Sequence, residues 1–313
     1  MRSSSFSDTC RCFLFISLLH ISKIMPYSLK ALLASLIAKI RLAINSKSIK
    51  TIRKNLQLCY PEMSNEEVEK ITYQTLKSYV MLTLEMGEAW FGCKQTNVDL
   101  IKEVEGKEYL DKIYSKKTPL IIAVPHIGNW ELFWNFLQIN YDSSAMYSPA
   151  KNAHFDDIMH KARKRFGGNL FATDPKGILG LLKAVKKGSI LMILPDQAPR
   201  KGAGIFSKFF GKSAYTMTLL HKLLRKTDAK LLFAACIRDQ NKGFKISIED
   251  SENMESIDNV DDFNDKMNQK METIINKNRE QYQWGYKRFK RQQDGKNFYK
   301  QPEIQVPVTR NST

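Results

Sequence analysis

The stretch TPLIIAVPHIGNWELFWNFLQI, residues 118–139, decides how the rest of the chain is read. Its first half is a short continuous apolar run, the pattern of a parallel strand buried on both faces. From Asn129 the apolar residues recur at helical spacing, so a helix follows with only Pro125 to Gly128 as the turn. His126 therefore stands at the carboxyl end of a strand, where open α/β sheets gather their ligands.

The same alternation continues outward. SSAMYSP, NLFAT, SILMILPD, AKLLFAACIR and FKISIED read as strands. HFDDIMHKARKRFG, GILGLLKAVKKG, AYTMTLLHKLLRKT and a segment from about Asp261 to Arg279 read as helices. This predicts an α/β fold whose central sheet, largely parallel or mixed, carries helices on both faces. Two helices precede the first confident strand. In the second, Ser64 and Glu67 form a capping box, and Val68, Ile71, Leu76, Tyr79, Leu82 and Met86 keep helical spacing.

A chain of 313 residues, 43% of them hydrophobic, suits one large core with terminal additions. The formal charge of +17 implies a negative partner: nucleic acid, anionic lipid, a phosphorylated substrate or an acidic carrier protein. The five cysteines make neither a zinc spacing nor a disulfide framework and read as free thiols in a reducing compartment. CFLFISLLHIS (12–22) is apolar but about half the length of a bilayer crossing; Lys23 interrupts it and Pro26 breaks the helix. Lys23, Lys30 and Arg41 fall near one helical stripe, and KIRLAINSKSIKTIRK (39–54) contains no acid. Together these read as an anchor on an anionic membrane face, with a signal peptide and a buried core helix as rivals. The division expected is a membrane-associating segment over 1–54, a catalytic domain over 55–291 and a polar tail over 292–313.

Glu131 lies in the first helical turn after His126. With the ring folded back over the helix start, its carboxylate would accept from one ring nitrogen and leave the other free to take a proton. That is a dyad without a protein nucleophile, suited to activating a substrate hydroxyl. FGKS lacks the upstream glycine of a phosphate-binding loop, and there is no G-x-S-x-G elbow.

HIGNWE resembles the H-x4-D/E motif of glycerolipid acyltransferases in the form typical of the bacterial lipid A secondary acyltransferases. NLQLCYPE (55–62), YSPAKNAHFD (147–156) with ARKRFG (162–167), LMILPDQ (191–197), GIFSKFFG (204–211) and YQWGYKRFK (282–290) are similar to that family in order and spacing. The resemblance implies transfer of a fatty acyl group from acyl carrier protein to a hydroxyl of a phosphorylated glycolipid. It also implies the cytoplasmic face of a bacterial inner membrane, and neither cofactor nor metal. His126 would be the general base and Glu131 would orient it. Arg163, by position in the second block, would support the oxyanion, with Arg165 as the second choice. Asn129 would line the same turn. Asp196 and Gln197 end another strand, where Asp196 positions a loop or an arginine; the following Ala198 departs from the family's polar residue. Arg200 and Lys201 are candidates for acceptor phosphates, and Phe206, Phe209 and Phe210 form an acyl-chain wall or belong to the core. Other acceptors stay open: a lysophospholipid, an ornithine lipid or a glycosylated phosphoinositide. Residues 286–300 interleave aromatic and basic residues, but no nucleic-acid module is visible and no such partner is expected.

Overall fold

The computed structural model describes residues 6–150, 152–239 and 243–300; the end of the polar tail, 301–313, lies outside them. The chain opens with four helices, α1 (Phe6–Ile24), α2 (Tyr27–Ile44), α3 (Lys47–Cys59) and α4 (Asn65–Phe91). Pro26, which has no amide hydrogen to donate, sits at the amino cap of α2 and separates it from α1. Ser64 and Glu67 close the capping box of α4 as the spacing predicts.

Next come α5 (Lys94–Leu100), β1 (Ile101–Glu105), α6 (Lys107–Ser115), β2 (Leu120–Ala123), α7 (Trp130–Asn140), β3 (Ser143–Tyr147), α8 (Ala153–Lys164), β4 (Asn169–Ala172), α9 (Pro175–Lys186) and β5 (Ile190–Ile193). The chain then forms the hairpin β6 (Gly204–Phe209) and β7 (Lys212–Met217), α10 (Leu219–Thr227), β8 (Lys230–Asp239), β9 (Gly243–Asp250) and α11 (Val260–Lys277). The main sheet has the order β1-β9-β8-β2-β5-β3-β4. It is mixed: β9 runs antiparallel to β8 and the other pairings are parallel.

Side-chain alternation sorts the core onto the two faces of this sheet. Ile121 and Ala123 of β2 pack with α9, α10 and α11 through Leu181, Val185, Leu220, Leu223, Leu224 and Phe263. Leu120, Ile122 and Val124 pack on the other side with α6 and α7 through Leu110, Leu132, Phe133 and Leu137.

Two expectations are corrected. AYTMT is a strand, not the start of a helix, because it pairs with β6 from Gly204↔Met217 to Phe209↔Lys212. Phe210 and Gly211, both at positive φ, make the two-residue turn that matches strand twist. Lys30 does not join a membrane-facing basic stripe; it is buried on α2 in an ion pair with Glu88 of α4.

The buried face of α2 is small, with Ala34 and Ala38. Gly87 lets α1 approach α4 closely, since a Cβ there would lie 2.4 Å from the Leu19 carbonyl oxygen. Apart from the fully buried Leu19, large apolar side chains of this hairpin point outward: Leu14, Leu18 and Ile21 on α1, and Leu29, Leu32, Leu36, Ile40 and Ile44 on α2 are exposed. Among the described residues no helix is long and apolar enough to cross a membrane. By contrast α3 belongs to the core, where Ile49, Ile52 and Leu56 are fully buried.

Candidate active site

β2 and β5 are adjacent and parallel, so their carboxyl ends open on the same edge of the sheet. His126 follows β2 and Asp196 follows β5, and the two meet although 70 residues separate them. His126 Nδ1 lies 2.6 Å from Asp196 Oδ1, and the His126 amide donates to Oδ2 at 2.9 Å. The Asp196 side chain is almost completely buried. Burial pushes its carboxyl up, but His126 and the amide bond more than offset this and hold it below the usual aspartate range. An ionised carboxylate only accepts hydrogen bonds, so Nδ1 carries the hydrogen and Nε2 is the ring nitrogen left facing away from Asp196. The ring retains 17% exposure, stacks edge-on against Trp130 and gives Nε2 no hydrogen-bond partner among the described residues.

The turn that carries His126 is clamped by its backbone. Asn129 N donates to Cys236 O at 2.8 Å, Gly128 N to Gln281 O at 3.2 Å, and Gln283 N to His126 O at 3.0 Å. Gly128 is required here: φ is +58°, and a Cβ would sit 2.0 Å from the Cys236 oxygen. Asn129 caps α7 through Leu132 N and donates its amide to Glu85 at 3.3 Å.

Glu131 does not orient the histidine. Its carboxylate, 5% exposed, accepts from Arg163 Nε at 3.1 and 3.0 Å, from Arg163 Nη2 and from Trp90 Nε1 at 3.2 Å. In the first turn of α7 it points toward α4 and α8, where Trp90 and Arg163 meet it. Burial pushes the Arg163 guanidinium down and Glu131 raises it further than that, so the pair is ionic. The side chains expected to form the catalytic pair thus belong to two separate ones.

The remaining candidates divide. Gln197 bonds Gln283 at 2.8 Å beside the turn. Arg200 is exposed at the mouth of the loop after Asp196, as is Lys201, and among the described residues neither has a carboxylate partner. Arg165 is not at the histidine: it donates to the Trp90 and Gly92 carbonyls at the end of α4, where a cation suits the helix dipole. Asn129, 1% exposed, is structural rather than substrate-lining. Phe209 is fully buried against Phe210, Tyr282 and Phe289, Phe210 packs on Tyr60 and Trp284, and Phe206 on Tyr215.

Sequence reading missed Glu85 and Arg238, a buried ion pair beside the turn in which Arg238 Nη2 donates to Glu85 at 2.7 Å and Nη1 to Ser78 at 3.2 Å. The available signal was a glutamate on the core-facing stripe of α4, between Met81 and Ala89. It also missed Gln281, and it placed Tyr282 and Gln283 in a block similar to the family without a role; the structure sets all three beside the turn.

The model of the family described as bacterial lipid A biosynthesis acyltransferase matches residues 2–291. This chain belongs to that family. The lipid A biosynthesis lauroyltransferase of Escherichia coli K12 is 27% identical over 273 residues, 87% of this chain and 88% of the relative. The palmitoleoyltransferase of the same strain is 27% identical over 271 residues, 85% of this chain and 86% of the relative. Its myristoyltransferase is 26% identical over 249 residues, 77% and 75%. As a lipid A biosynthesis acyltransferase the protein is an enzyme.

Proposed function

We propose that this enzyme transfers a fatty acyl group from an acyl carrier protein thioester to a hydroxyl of a phosphorylated lipid A precursor, forming an acyloxyacyl ester. The observation that carries this reading is an imidazole fixed by Asp196 with Nε2 open, in a chain matched by the family along nearly its whole length. Nε2 takes the proton of the acceptor hydroxyl as its oxygen attacks the thioester carbonyl. The tetrahedral intermediate expels the carrier's thiolate, which recovers the proton from the imidazolium. No protein nucleophile is needed. The amino end of α7, four residues beyond His126, turns its positive pole toward the turn and supports the developing oxyanion. Arg163 is committed to Glu131, so its part is to hold α8 against α7 rather than to meet the oxyanion. Arg200 and Lys201 remain the phosphate contacts of the acceptor.

The outward apolar stripe of α1 and α2 supports a seat on the bilayer surface, its apolar face in the headgroup boundary at the cytoplasmic side of the inner membrane. Replacing Leu32, Leu36 and Ile40 with serine removes part of that face without touching the packed one, and vesicle sedimentation should fall severalfold.

The three Escherichia coli relatives carry different acyl groups in their names at 27, 27 and 26% identity, so overall likeness does not rank donors. Purified enzyme should be offered carrier thioesters of graded length with tetra-acylated lipid A precursor or lysophospholipid, and the products weighed by mass spectrometry. Acylation of the precursor is expected; acylation of lysophospholipid alone would replace the acceptor assigned here.

A further inference from the structure

Positive charge is not spread evenly. Residues 175–227 hold eleven of the 49 Lys and Arg and one of the 32 Asp and Glu, so about a sixth of the chain supplies +10 of the formal +17. The one acid is Asp196, buried against His126. Of the eleven cations only Arg225 is in an ion pair among the described residues, with Asp258 at 2.8 Å. Folding concentrates this charge further. On α9 the exposed residues Lys176, Leu179, Lys183, Lys186 and Lys187 follow helical spacing along one stripe, and Leu179 is 61% exposed among the lysines. On the adjoining α10, Lys222, Arg225 and Lys226 are exposed in the same manner.

The face begins at the site and runs away from it. α9 starts at the carboxyl edge of β4, the same edge that holds His126, and α9 and α10 both lead back to the amino edge of the sheet, so Lys176 and Lys222 lie nearer the site than Lys183, Lys186 and Lys226. An open groove of about 470 Å³, lined by Gly202, Gly204, Thr218, His221 and Lys222 among others, joins the loop after Asp196 to α10. The face is also built from other elements than the apolar one: α9 and α10 pack on each other, whereas α1 and α2 both pack on α4.

We propose that the α9–α10 face is the docking surface for the acidic carrier protein that presents the thioester donor, with Leu179 as its apolar centre and the surrounding lysines reading the carrier's carboxylates. This rests on the donor assigned under the proposed function. An acidic protein is favoured over lipid because the cations flank a single exposed leucine along α9, while the broad apolar stripe lies elsewhere.

The test uses the full chain with Lys183→Glu/Lys186→Glu on α9, Lys222→Glu/Lys226→Glu on α10, and Lys112→Glu/Lys116→Glu as the exposed control on α6. Each is titrated with fluorescent holo acyl carrier protein at low salt, which requires no turnover. The α9 and α10 reversals are expected to weaken Kd tenfold or more and to raise KM for the carrier-borne donor. Turnover of the same acyl chain on free pantetheine and sedimentation with anionic vesicles should remain as in the parent, and the control should match the parent throughout. Carrier binding unchanged by both reversals, or no carrier binding by the parent, overturns the proposal, as does loss of vesicle binding with carrier binding intact. Carrier binding that responds to the reversals in a protein that transfers no acyl group would uphold the surface and refute the donor reaction.

Discussion

Two buried carboxylates lie close to the same turn, and they serve opposite purposes. Asp196, at the end of β5, faces an imidazole that retains some exposure, and its charge fixes which ring nitrogen holds the hydrogen. Glu131, in the first turn of α7, faces a guanidinium and an indole, and its charge is consumed in holding α7, α8 and α4 together. In the mechanism proposed above the first leaves a base open to the acceptor hydroxyl; the second leaves nothing to react. Sequence proximity favours Glu131 as the partner of His126, whereas topology supplies Asp196. A carboxylate near a histidine in sequence is thus assigned a role only once its other neighbours are known.

That contrast can be broken in three places. The largest effect belongs to the base itself. His126→Ala should lower kcat by about 10² to 10⁴ with donor binding little changed, the range for removing a general base, as steady-state kinetics on one donor and acceptor would show. Next is Glu131→Gln, which leaves Arg163 with a partly buried charge unmatched. Its principal consequence should be a loss of about 3 kcal/mol in unfolding stability, read from denaturant titration, and pairing it with Arg163→Met should recover much of that loss. Asp196→Asn should cost about 10- to 100-fold in kcat through a lost charge-assisted bond. It should also alter acid stability. Since the Asp196 carboxyl is held below its unfolded value of about 3.9, it stabilises the fold above that pH and ceases to do so as pH falls through the folded value. The asparagine variant should therefore lose less stability than the parent on acidification below about pH 4.

Much of this arrangement was legible from local pattern. The buried run before His126, the switch to helical spacing at Asn129 and the capping box at Ser64 each depend on residues within a few positions, and each reads correctly. What escaped depends on contacts across the chain or on an unusual local choice. IKEVE, the edge strand β1, spaces its two apolar residues three apart and shows no alternation. The turn of the β6–β7 hairpin places Phe210, a bulky residue, at φ +50°, where glycine or asparagine is the ordinary signal. The outward apolar stripe of α2 is visible in sequence, but which face is outward is set by Lys30 finding Glu88. The pairing of His126 with Asp196 needs the strand order, because only the adjacency of β2 and β5 brings their ends together.

The central claim is that Asp196, not Glu131, sets the tautomer of His126. Nitrogen-15 NMR of the imidazole in the parent, Asp196→Asn and Glu131→Gln proteins, each checked for folding by circular dichroism, tests it most directly. The account predicts an Nδ1–H tautomer in the parent, the same tautomer in Glu131→Gln, and its loss or mixing with the Nε2–H form in Asp196→Asn. A tautomer that changes with Glu131 and is indifferent to Asp196 would contradict it.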